Sequence, residues 1–94
     1  MMSPEVLIYV QKLKLFMEKS ETAREYFNIS DKDDVFFDYV LELSQKNFEE
    51  HGEPELSLIQ IEEIRQKIST STENNDEITG IFISLGNMGY ISLN

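Results

Sequence analysis

Apolar residues recur along the first stretch of the chain with a helical period. Val6, Tyr9, Val10, Leu13, Phe16 and Met17 fall on one stripe at 100° per residue, behind Ser3 as a candidate N-cap and Pro4 at the first helical position. Ile8 and Leu15 lie off that stripe, on the opposite side among Gln11, Lys12 and Lys19, so this helix needs a second neighbour or presents a contact. A second neighbour within the chain, the C-terminal strands, is expected to cover them. A short helix follows, with Ser20 or Thr22 as its cap and Thr22 and Glu25 spaced as a capping box.

The pattern then widens. From Asp31 to Glu50, Phe36, Val40 and Leu43 form one apolar line and Phe37, Leu41 and Phe48 a second beside it. With Tyr39 they span an arc of roughly 200°, which predicts a central helix packed on two sides. Glu42 and Lys46 on its polar side are spaced as a helix-supporting pair. Ser30 is placed to cap the helix, Gly52 to end it in a left-handed conformation and Pro54 to stop it resuming. Ser44 and Asn47 interrupt the apolar arc: Ser44 is expected to bond back to a carbonyl and Asn47 to fix a neighbouring loop, the alternative being that they line a small pocket. Ser57 and Gln60 form a further capping box, with Leu56 and Ile61 spaced as a hydrophobic staple, so another helix begins at Leu58. Its buried line is Leu58, Ile61, Ile64 and Ile68, with Glu62, Glu63, Arg65, Gln66 and Lys67 toward water. The polar run 69–77 reads as a loop.

At residue 78 the period changes to two. Ile81, Ile83, Leu85, Ile91 and Leu93 alternate with Phe82, Ser84, Tyr90 and Ser92 about a turn at Asn87-Met88-Gly89. This predicts a C-terminal antiparallel β-hairpin over 78–93, with Phe82 and Tyr90 outward as an aromatic pair and an open edge for strand pairing. The expected fold is therefore α+β: a single domain, 1–94, of about four helices followed by that hairpin.

Charge changes the picture in one region. The chain has 94 residues and a net charge of −10, of which residues 31–55 hold nine acids against Lys32 and Lys46. Such a local field repels nucleic acid and anionic lipid and favours a basic partner. With no cysteine, disulfides and thiolate-held metals are excluded. No apolar run approaches the ~20 residues that span a bilayer, and the start lacks a signal-peptide pattern, so the expected location is the cytoplasm. The Ile-, Asn- and Glu-rich usage points to an AT-rich bacterial or phage genome.

Catalytic and ligand-binding patterns are weak. Asp31, Asp33 and Glu42 match three positions of a calcium loop, but Val35 and Phe36 stand where it needs an oxygen ligand and a glycine. His51 is the one histidine, with Glu49, Glu53 and Glu55 around it, which makes a poor metal site. No cofactor, no metal and no enzymatic activity are expected. The order helix–turn–helix–hairpin (31–50, 58–69, 78–93) resembles a winged helix, which implies DNA binding through the helix at 58–69 with 86–89 as the wing tip. Glu62 and Glu63 on that helix, and the absence of a base in the wing, oppose it. The expected function is thus a small acidic, non-catalytic protein-interaction module: an adaptor, inhibitor or assembly subunit. Its candidate contacts are Asp34, Asp38 and Glu42 on the central helix, Phe82 and Tyr90 on the hairpin, and Ile8 and Leu15 on the first helix. A partner with a basic surface, or a second copy joined through the hairpin, would meet them.

Overall fold

The structure, a computed structural model, describes residues 2–30, 35–68 and 76–93. Among them run α1 (Pro4–Glu18), α2 (Glu21–Tyr26), α3 (Val35–His51), β1 (Leu56–Ser57), α4 (Leu58–Ile68), α5 (Asp76–Asn87) and β2 (Ile91–Ser92). The expected acids Asp31, Asp33 and Asp34 and most of the expected 69–77 loop lie outside the described residues.

The expected α+β fold of four helices and a hairpin is not there: the described residues are mostly helical, with five helices and two short strands among them. Residues 76–87 form α5, and the two strands pair in parallel, Leu56 opposite Ile91 and Ser57 opposite Ser92. The apolar run fits both periods, since Ile81 and Leu85 belong to either. Only the helical choice aligns Ile78, Phe82 and Leu85 on one buried face, and it leaves Ile83 half exposed. Asp76 and Glu77, expected in a loop, fill the first turn of α5, where negative charge suits the helix dipole. Gly89 has the positive φ (+76°) that the hairpin turn also requires, which is why it does not discriminate. Here it ends a helix: the Tyr90 amide donates to the Leu85 carbonyl and the Gly89 amide to that of Gly86.

The same device ends α2, with Asn28 (φ +54°) in the left-handed position and amide bonds from Ile29 to Arg24 and from Asn28 to Glu25. Gly52 (φ +76°) stops α3 as expected, its amide bonding to Phe48. Ser20, not Thr22, caps α2 by accepting from the Ala23 amide at 3.2 Å. Ser57 and Gln60 form the expected capping box, with bonds of 2.9 and 3.1 Å. Ser3 stands at the N-cap position of α1 without a side-chain cap bond. Its amide instead donates to Gln45 Oε1 at 2.9 Å, which ties the start of α1 to α3.

α3 packs on α1, α4 and β1, as its wide apolar arc requires, while α5 packs on α2. Val6, Tyr9, Val10, Leu13 and Met17 of the α1 stripe are buried and meet Phe36, Phe37 and Val40 in one core. At the α2–α5 end an aromatic cluster closes it. The Phe27 ring lies 4.9 Å from Tyr26, 4.9 Å from Phe36 and 5.9 Å from Phe82.

Arg65 departs from its expected place in water. It is buried, its guanidinium 4.6 Å from the centre of the Tyr26 ring and its Nε 3.2 Å from Glu62 Oε2. The Tyr26 hydroxyl donates to the same carboxylate at 2.9 Å. A long guanidinium that stacks on an aromatic face and pairs with a carboxylate can leave water at little cost.

Gly80 gives a direct check on α5. It is exposed inside the helix, and a Cβ there would have no neighbour within 4 Å. Gly80→Ala is expected to stabilise the protein by about 0.5–1 kcal/mol, because it removes unfolded-state freedom and adds no clash. A raised urea midpoint with unchanged m checks it.

Candidate interaction surface

The polar side chains inside the fold are held by other parts of the chain. Ser44, fully buried, donates to the Pro54 carbonyl at 2.7 Å. Asn47 donates to the Glu55 carbonyl at 3.2 Å and exchanges amide bonds of 3.0 and 3.2 Å with Gln60. Both therefore fasten the 52–57 connection to α3. A shallow depression of about 310 Å³ gathers Asn47, His51, Glu53 and Glu55, the residue types a hydrolytic site would use. The Asn47 amide is already engaged in structure, and the His51 side chain is 70% exposed, with Glu50 as its ion-pair neighbour among the described residues, at 3.8 Å. Among the described residues, no three His, Asp or Glu side chains are grouped to hold a metal ion.

Tyr9 is the other internal polar anchor. Its hydroxyl donates to the Tyr90 carbonyl at 2.6 Å and accepts from the Leu56 amide at 3.1 Å, so one α1 side chain joins β1 to the residue just before β2. Burial pushes its pKa up to about 12, against the partial relief given by the Leu56 amide bond. Tyr26 is also raised to about 12, by burial first and then by its bond to Glu62.

Large apolar side chains are exposed singly at Ile59 on α4, Ile83 on α5, Met88 and Leu93, while α1 presents three of them and α3 adds exposed acids. Leu7, Ile8 and Leu15 are 49%, 56% and 55% exposed. The expected cover by C-terminal strands does not form. Ile8 instead faces a groove of about 360 Å³ whose far wall is the turn at Met88, Gly89 and Tyr90. Periodicity does not single out Leu7, although α1 has more apolar positions than one stripe can bury. On α3, Asp38 and Glu42 are exposed and stand one turn apart, with Gln45 and Glu49 continuing the row. Among the described residues neither Asp38 nor Glu42 takes part in an ion pair, and the expected Glu42–Lys46 pair is absent.

Two grooves flank this acidic row. One, of about 330 Å³, lies between α1 and α3 and is lined by Leu7, Gln11 and Lys14 facing Phe37, Asp38 and Leu41. The other, of about 380 Å³, lies between α3 and α4, with Tyr39, Glu42 and Glu49 opposite Ile64 and Lys67.

The remaining sequence-derived candidates are placed differently from expectation. Phe82 is 6% exposed and belongs to the core, not to an outward aromatic pair. Tyr90 is half-buried, its carbonyl held by Tyr9. Asp34 lies outside the described residues. The structure thus brings Asp38, Glu42, Ile8 and Leu15 to the surface, and takes Phe82 away from it. No described helix is long and apolar enough to cross a membrane. Compared with family models, with curated proteins and with solved structures, the chain shows no significant match.

Proposed function

We propose that this protein is a small non-catalytic interaction module, an adaptor, inhibitor or assembly subunit, that works by surface contact. The observation that carries the reading is the outer face of α1, where Leu7, Ile8 and Leu15 stand about half exposed on a helix whose other face is locked into the core. Keeping three large aliphatic side chains in water opposes solubility, and a partner that covers them recovers that apolar burial. The helix is also a firm platform: Ser3 ties its start to Gln45, and Tyr9 ties its middle to Leu56 and Tyr90. The exposed acids Asp38 and Glu42, in no ion pair among the described residues, add preference for a basic partner. The winged-helix alternative loses its support, because α5 occupies the place of the wing.

The test is quantitative capture from the source cells on immobilised protein, comparing wild type with a Leu7→Gln, Ile8→Gln, Leu15→Gln variant. Glutamine is polar and keeps helix propensity, so the fold is retained and circular dichroism checks that. A defined set of proteins held by wild type and lost by the variant is expected. Identical sets on both overturn the reading.

A further inference from the structure

We infer that the groove between α1 and α3 receives a single amphipathic helix from a partner protein, apolar face inward and lysine or arginine toward Asp38 and Glu42. The inference rests on the interaction-module reading and assigns it a place and a chemistry.

The shape argues for a helix. The groove wall on α1 is Leu7, Val10, Gln11 and Lys14, and on α3 it is Phe37, Asp38 and Leu41, residues three and four apart along each helix. Side-chain rows at those spacings are the ridges between which another helix sets its own row. A partner strand has less to join. Both strands are two residues long, and the amides of Leu56 and Ser57 are already taken by Tyr9 and Gln60.

Charge argues for a basic flank. Asp38 lines this groove, and Glu42, one turn further along α3, lines the neighbouring α3–α4 groove, so the two acids stand on the ridge beside the docking site, neither in an ion pair among the described residues. Both belong to the segment that carries most of the protein's negative charge. Lys14, the cation on the α1 wall, is engaged from within the chain: it lies 3.9 Å from Glu18 and 5.8 Å from the centre of the Phe37 ring. Acids one turn apart match bases one turn apart on a docked helix. The apolar lining is Leu7 and Leu41 over the nearly buried Val10 and Phe37, which suits aliphatic or aromatic anchors at i, i+4 and i+7 of the partner.

The experiment selects the 94-residue chain against a randomised library of peptides of about 18 residues, five helical turns. Each enriched peptide is then mapped by amide chemical-shift changes. Enriched peptides are expected to be basic, with apolar residues at helical spacing, and to shift residues around Leu7, Gln11, Asp38 and Leu41. Their affinity is expected to fall about tenfold or more in Leu7→Gln, and in Asp38→Asn with Glu42→Gln, and to weaken steeply with salt. It should be unchanged in Glu63→Gln, an exposed acid on α4 outside both grooves. Enriched peptides that are acidic, extended or bound elsewhere overturn the inference and leave the broader reading intact. An empty selection, or sedimentation showing the groove filled by a second copy of the chain, overturns it as well. The capture experiment then decides the broader reading separately.

Discussion

Phe82→Ala is expected to cost about 3–5 kcal/mol, while Ile83→Ala beside it changes stability by no more than about 1 kcal/mol. Phe82 is 6% exposed, with its ring 5.9 Å from Phe27 and 6.5 Å from Tyr26, both edge-on. Truncation removes a large buried ring and opens a cavity between α2 and α5 that the surrounding rings can only partly fill. Ile83 is half exposed on the far side of the same helix. Its lost contacts are partly offset by the better helix propensity of alanine. In a chain of 94 residues the total stability is about 5–14 kcal/mol, so the Phe82 variant loses a large fraction of it. Urea unfolding followed by circular dichroism measures both. The contrast also separates the two conformations of this segment. In a hairpin with Ile81, Ile83 and Leu85 inward, Ile83 would be the costly position and Phe82 the mild one. A larger loss at Ile83 would therefore contradict α5.

Tyr9→Phe is expected to cost about 2–4 kcal/mol, more than the removal of a single surface hydroxyl. One oxygen serves two backbone groups, the buried Leu56 amide and the half-buried Tyr90 carbonyl. Leu56 is fully buried, so its amide loses its partner where water cannot readily replace it. Each polar group orphaned in this way costs about 1–3 kcal/mol. The same bond predicts a response to alkali. The folded pKa of Tyr9 is about 12, above its usual 10.0. A raised value means that the unfolded chain releases this proton first. The stability from the neutral hydroxyl is therefore complete below about pH 10 and is lost as pH climbs from 10 through 12. Over that window wild type is expected to lose about 2–3 kcal/mol through Tyr9, at about 1.36 kcal/mol for each pH unit that separates the folded and unfolded titrations. Tyr26 moves in the same direction. Urea midpoints at a series of alkaline pH values should fall more steeply for wild type than for Tyr9→Phe. Parallel curves would show that the hydroxyl is not held as described.

The candidate surface is readable in the sequence as far as it depends on helix geometry. Ile8 and Leu15 fall outside the α1 stripe by simple rotation, and both are exposed. Asp38 and Glu42 fall on the polar arc of α3 and are exposed too. Whether anything in the chain covers Ile8 and Leu15 depends on where the C-terminal segment goes, which is a long-range matter. Phe82 is misplaced for the same reason: a period of two over 78–87 reverses the side on which the residue falls. Charge alone assigns Arg65 to water. Its burial depends on Tyr26, far earlier in the chain, offering a ring face beside the Glu62 carboxylate.

What the chain decided by itself was local. The cap at Ser57 and Gln60, the stop at Gly52, the left-handed Gly89 and the buried stripe of α1 each depend on residues within about one or two helical turns, where side-chain chemistry and φ preference act directly. Only the tertiary structure decided between helix and strand for 76–87, and only it paired 56–57 with 91–92 in parallel. Isoleucines and two glycines leave α5 with poor intrinsic helix propensity, on the order of 1 kcal/mol lost at each glycine relative to alanine. Burying Ile78, Phe82 and Leu85 against the rest of the core outweighs that deficit. The parallel pair likewise needs its two short strands brought together across α4 and α5. The packing of those helices, with Tyr9 bonded to Leu56 of β1 and to Tyr90 just before β2, supplies that juxtaposition.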